Sequence, residues 1–217
     1  MDRKIKYHKA VIFLHGDKTD VSRVKGYIDE KTLLIGCDGG TKYLLSLEFY
    51  PHAVVGDMDS INNELKKDLG NKKVTFISYP TKKDNTDAEL ALLYAIKLGC
   101  KEIILAGILG TRIDHMLATI FMLSQKQFAK LHIKIIEGNQ DIYVVRKKIK
   151  LTGKKGDTIS IIPISDVRGV TTKNLQYVLK DASLPFGTTR GISNVFTKNE
   201  TEISLKKGTI LVVHEIK

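Results

Sequence analysis

Asp57 and Asp59 stand two residues apart in GDMDS (residues 56–60), directly after a short apolar run. A turn needs only one of them. Two carboxylates about 4 Å apart repel by roughly 4 kcal/mol at an effective dielectric near 20. Three more loops carry similar groups: Asp38 in CDGG (37–40); Lys82, Lys83, Asp84 and Asp87 in TKKDNTD (81–87); and Arg112, Asp114 and His115 in GILGTRIDH (107–115). Carboxylates gathered in one place either raise their own pKa values or hold a cation. The donors are all oxygen, with no histidine or cysteine cluster, so a hard ion is expected. Mg²⁺ takes one or two carboxylates and completes its shell with water and phosphate oxygens. Lys83 and Arg112 add fixed positive charge, and a guanidinium can grip phosphate bidentately. An EF-hand fails over 57–68, because Ile61 stands where a ligand belongs and Asn62 where the glycine belongs.

These loops converge only if the chain places them at one edge. Up to about residue 137, short apolar runs (AVIFLHG, TLLIGCDGG, HAVVGD, VTFISYP, EIILAGI, HIKIIEG) alternate with helix-length stretches. That pattern predicts a mostly parallel sheet, covered on both faces in a three-layer α/β/α domain. Ligands of such sheets bind at the carboxyl ends of the strands, and every acidic loop falls there. Thr86 and Glu89 have capping-box spacing and start a helix that Gly99 ends. Asp114 is read as the cap of the next helix, and Ser60 as the cap after GDMDS. The helix starts at Thr86 and Asp114 add backbone donors for an anion. After Asn139 the segments are short, β-branched and separated by turns, with no amphipathic helix between them. They predict an antiparallel β-sandwich. The expected domains are 1–138 and 139–217.

The bulk numbers restrict the function classes. In the 217 residues, 42% hydrophobic and 27% charged content fits a globular protein. The net charge of +11 suits an anionic partner. Residues 138–217 hold 14 Lys/Arg against 7 Asp/Glu, so the acidic groups concentrate in the first part. A nucleic-acid module lacks its stacking platform, for the chain has no Trp and no RNP-like motif. No apolar run is long enough for a signal peptide or membrane span, which gives a cytoplasmic expectation. Cys37 and Cys100 are expected as reduced, structural thiols. Walker A, G-x-G-x-x-G and GxSxG motifs are absent. The residues point to a Mg²⁺-dependent enzyme that handles a nucleotide or other polyphosphate without a P-loop. A metal-dependent phosphohydrolase is the competing reading.

The ordered blocks CDGG, GDMDS, KDNTDAELAL (83–92) and GILGTRIDH, with GISNVF (191–196) near the end, resemble the thiamine pyrophosphokinase family. Cys37 and Thr111 depart from the family pattern, which commonly has alanine and a second glycine there. The resemblance implies an α/β domain that binds ATP and Mg²⁺, followed by a β-sandwich domain that binds thiamine and dimerises. It implies transfer of pyrophosphate from ATP to thiamine. By position, Asp57, Asp59, Asp84 and Asp87 would hold the metal. Lys83 and Arg112 would stabilise the transferring group. Asp38, Thr86, Arg112 and His115 would line the nucleotide site. Ser193, Asn194 and Asp114 would face thiamine. The family resemblance also implies a homodimer with each thiamine site near the subunit interface; the composition leads to the expectation of no nucleic-acid or membrane partner.

Overall fold

The computed structural model describes residues 7–17, 20–78 and 85–217. Lys82, Lys83 and Asp84 lie outside the described residues. The chain forms two compact units, Met1–Met122 with Lys130–Gly138, and Leu123–Ala129 with Asn139–Lys217.

In the first unit the apolar runs become strands. These are β1 (Lys9–Phe13), β2 (Thr32–Cys37), β3 (Ala53–Gly56), β4 (Thr75–Ser78), β5 (Glu102–Ala106) and β6 (His132–Glu137). They pair in the order β6-β5-β1-β2-β3-β4, and all these pairings are parallel. Every residue of β1, β2 and β3 is buried, as continuous apolar runs covered on both faces require. The covering helices are α1 (Thr41–Ser46), α2 (Asn63–Asn71), α3 (Asp87–Lys97) and α4 (Ile113–Met122). Between β1 and β2, the described residues include a 3₁₀ segment, Ser22–Tyr27. Val11, Phe13, Leu34, Leu44, Ile104 and Ile136 form one packed core. Val54, Met58, Ile61, Leu69 and Val74 form a second core against α2. Each fully buried large side chain contributes about 1.5–3 kcal/mol.

The caps explain the helix starts. The Thr86 hydroxyl accepts the Glu89 N–H at 3.3 Å, as the capping-box spacing predicts. At α2 the expectation was wrong: Asn62, not Ser60, is the cap, accepting the Leu65 N–H at 2.8 Å. The cause lies just upstream. Met58 adopts a left-handed conformation (φ 65°), so the turn consumes more chain before the helix can start. Helix α4 begins at Ile113, which puts Asp114 inside its first turn rather than at its cap.

The register aligns the strand ends. Phe13 lies level with Gly36 on one side and Ala106 on the other. The chain continues from β1 to one neighbour and from β5 to the other, so the crevice between them is a topological switch point.

The second unit has two antiparallel sheets. Its strands are β7 (Gln140–Val145), β8 (Lys148–Thr152), β9 (Thr158–Pro163), β10 (Val167–Lys173), β11 (Ala182–Leu184), β12 (Asn194–Val195), β13 (Glu200–Ser204) and β14 (Ile210–Glu215). One sheet runs β12-β9-β14-β7 and the other β11-β10-β13-β8. Residues of both sheets, including Leu151, Ile161, Val170, Ile203 and Val212, share one core, which makes the unit a sandwich. A buried His214 meets the Asp157 carboxylate at 2.9 Å and stacks on Phe196.

Candidate active site

Three of the acidic side chains meet. Asp38, Asp57 and Asp59 each place a carboxylate oxygen within 4.8 Å of the others. The backbone builds this meeting. Asp38 follows β2 in a left-handed conformation (φ 42°), which turns its side chain toward the end of β3. There its carboxylate accepts the Met58 N–H at 3.0 Å. Gly56 leaves the room: a Cβ at that position would lie 2.0 Å from Asp38 Oδ1. Asp57 accepts the Asp59 N–H at 3.1 Å, and Asp59 accepts the Ser60 hydroxyl at 3.1 Å. Asp38 was expected to line the nucleotide cleft; its geometry puts it in the same oxygen cluster as Asp57 and Asp59.

The cluster is electrostatically loaded. Burial pushes the Asp38 carboxyl up to about 6, and the neighbouring Asp87 and Asp57 carboxylates push the same way, against the Met58 N–H. Asp87, the first residue of α3, therefore stands beside Asp38. The buried Cys37 thiol donates to the Asp87 carbonyl at 3.7 Å, which ties β2 to that helix start. An all-oxygen donor set whose most buried member resists ionisation fits a hard divalent cation.

Stability should reflect this load. The unfolded chain ionises Asp38 near its ordinary 3.8, the folded chain only near 6. In the absence of divalent metal, the folded state therefore loses stability as pH rises from about 4 through 6. The loss is about 2 kcal/mol, after allowing for water at the rim of the cleft. Urea unfolding in EDTA should show this fall in the native chain and not in Asp38→Asn. Matching pH profiles for the two proteins would refute the account.

The other residues take separate places. Arg112 and Asp114 pair with each other, Nε to Oδ1 at 2.9 Å and Nη2 to Oδ2 at 2.7 Å, and both are about two-thirds exposed. They follow β5, two strands from β2 across β1. The guanidinium holds the Asp114 carboxyl well below the usual carboxylate range. An exposed pair of this kind is weak, so an incoming phosphate can replace Asp114 on Arg112. His115 is exposed in the first turn of α4. The Thr86 hydroxyl serves as the α3 cap.

In the second unit, Ser193 is exposed with φ 55°, and its N–H donates to the Ser160 hydroxyl at 3.0 Å. Asn194 is buried. Its Oδ1 accepts the Tyr177 and Val195 N–H groups at 2.9 Å, and its Nδ2 donates to the Tyr177 carbonyl at 2.7 Å. Its amide thus braces the backbone at Tyr177, whose side chain is 63% exposed.

Sequence reasoning missed two groups near the strand ends. An open groove beside Asp57 is lined by Met58, Lys66, Phe76 and Ser78. Lys66 looked like one of many solvated lysines, and nothing in its spacing marked it. The second group is His15-Gly16-Asp17, after β1. A Cβ on Gly39 would lie 2.3 Å from His15 Nε2, so the imidazole covers the glycine beside Asp38. The available signal was a glycine and an aspartate closing an apolar run, as in CDGG and GDMDS.

A parallel α/β unit with carboxylates at adjacent strand ends, followed by an antiparallel sandwich, has the architecture of a two-domain α/β enzyme. Residues 24–135 match the family model described as Thiamin pyrophosphokinase, catalytic domain, and residues 145–210 match Thiamin pyrophosphokinase, vitamin B1 binding domain. The chain belongs to the thiamine pyrophosphokinase family. It is 30% identical over 206 residues to the thiamine pyrophosphokinase of Bacillus subtilis (strain 168), covering 91% of this chain and 94% of that one. The crystal structure of the Bacillus subtilis thiamine pyrophosphokinase superposes with a TM-score of 0.86 at 28% identity, covering 96% and 99% of the two chains. The Geobacillus thermodenitrificans enzyme superposes at 0.82 with 25% identity, covering 96% and 98%.

Proposed function

We propose that the protein transfers the pyrophosphate group of ATP to thiamine, giving thiamine diphosphate and AMP. The observation that carries this reading is the carboxylate cluster at the ends of β2 and β3, within a chain whose two units each match a thiamine pyrophosphokinase domain. Asp57 and Asp59, with Asp38 and Asp87 beside them, would hold Mg²⁺ at the place where the ATP phosphates bind. Bound there, Mg²⁺ neutralises phosphate charge and spares the carboxylates their mutual repulsion. Asp84 extends this set by its position in KDNTDAELAL, and Lys83 beside it stabilises charge on the transferring group.

The thiamine hydroxyl oxygen attacks the β-phosphorus in line. The new bond joins that oxygen to the β-phosphorus. The bond from the β-phosphorus to its bridge with the α-phosphate breaks, and AMP leaves with the bridging oxygen. A carboxylate of the cluster takes the hydroxyl proton. Arg112, released from Asp114, holds non-bridging oxygens of the transferring group. Positioning and charge stabilisation supply most of the acceleration. Ser193 faces thiamine from the second unit, and Asn194 acts by fixing the backbone around Tyr177.

The working form is a homodimer in the cytoplasm. Supporting the dimer, α4 keeps Ile113, Leu117 and Phe121 at four-residue spacing and 62%, 42% and 44% exposed. An exposed apolar stripe of that kind suits a second copy. Among the described residues, no helix is long and apolar enough to cross a membrane.

Incubation with ATP, Mg²⁺ and thiamine should yield AMP and thiamine diphosphate in equal amounts. ADP as product would overturn the transfer chemistry. Phosphate release from ATP without thiamine would favour the phosphohydrolase. A monomeric mass in sedimentation would remove the dimer.

A further inference from the structure

Arg112 ends a loop, residues 107–112, with no regular structure of its own. Two acidic side chains from the flanking strand ends hold its backbone. Glu137, the buried last residue of β6, accepts the Ile108 N–H at 2.5 Å. Asp17, beyond β1, accepts the Thr111 N–H at 2.9 Å, directly before Arg112. The β1 side is itself fixed. The Gly16 N–H donates to the Gly107 carbonyl at 2.8 Å, and the Gly16 carbonyl accepts the Tyr43 hydroxyl. Contact is so close that a Cβ on Gly16 would lie 2.1 Å from the Leu109 carbonyl oxygen. A Cβ on Gly110 would lie 3.1 Å from Asp17 Oδ1.

We propose that Asp17 and Glu137 are positioning residues for Arg112, clamping both ends of its loop so that the guanidinium meets the transferring group in one place. Charge-assisted bonds from backbone N–H groups to a carboxylate are stronger than those between neutral groups. They also replace what a more flexible loop would lose in alignment. The clamp accounts for Thr111: its N–H, not its side chain, is the anchored group, so a residue other than glycine is accommodated there.

The proposal rests on the pyrophosphokinase reading, and its test separates the two. Asp17 is exposed, so Asp17→Ala should fold normally. It should lower kcat by about 10- to 100-fold, with KM for thiamine within about twofold. Asp17→Asn keeps a carbonyl acceptor for the Thr111 N–H and should restore most of the rate. In an Arg112→Ala background, Asp17→Ala should cost nothing further, because the two act as a unit. Amide hydrogen exchange should accelerate at Thr111 in Asp17→Ala, and Glu137→Gln should retain protection at Ile108. Unchanged kcat, full additivity with Arg112→Ala, equal losses in the Asn and Ala variants, or unchanged exchange at Thr111 would each overturn the clamp. If the native protein makes no thiamine diphosphate, the functional reading falls, and the exchange measurement still decides the clamp.

Discussion

Asp59→Asn should lower kcat by about three orders of magnitude while the fold stays intact. Asp59 is exposed, and its carboxylate accepts the adjacent Ser60 hydroxyl at 3.1 Å. It has no packing task whose loss could blur the result. Replacing one oxygen donor by an amide removes a negative charge where the proposed cation would sit. Losing one such electrostatic contact typically costs 10²–10³ in rate, and a metal contact extends the range upward. The variant should also resist heat at least as well as the native chain without metal, because one member of a repelling group is gone. The two readouts move in opposite directions. A variant with near-normal turnover would remove Asp59 from the metal set.

Gly56→Ala should damage stability and chemistry together. Gly56 has φ +149°, a conformation that side-chain-bearing residues rarely adopt. The added Cβ would lie 2.0 Å from Asp38 Oδ1 and 2.3 Å from its Cγ. Neither the last residue of β3 nor the buried Asp38 can move without disturbing the sheet. Strain of this kind, plus displacement of a buried carboxylate, costs roughly 3 kcal/mol. Displacing Asp38 also opens the oxygen cluster, so kcat should fall at least about 100-fold. Urea unfolding and steady-state kinetics on one preparation test both halves. Native-like stability with normal turnover would show that Asp38 has another place to go.

The sequence exposed the sheet because parallel strands buried on both faces must be continuous apolar runs. HAVVGD and TLLIGCDGG could be little else. It exposed the strand-end carboxylates for the same reason, since each follows such a run. Local backbone choices were hidden. The left-handed turn at Met58 moved the helix cap from Ser60 to Asn62, and methionine does not announce that conformation. The strand break at Arg146 and Lys147 was invisible, because DIYVVRKKIKL is β-prone throughout. The structure divides it between β7 and β8, in different sheets. The amide of Asn194 bonds the Tyr177 backbone, a partner 17 positions away that no spacing rule identifies. The Asp17 contact spans 94 positions and is still less legible.

Asp38, Asp57 and Asp87 belong to three successive strand ends, each separated from the last by a crossover of about 19 to 30 residues. No fragment of the chain holds the set. A nascent chain cannot assemble it until β2 and β3 have paired and α3 has docked. Those pairings are parallel and non-local, and they form late and slowly. A cation cannot nucleate this sheet in the way zinc nucleates a finger. The affinity of the proposed ion would be a property of the finished α/β unit, and its uptake would read out the last stage of folding.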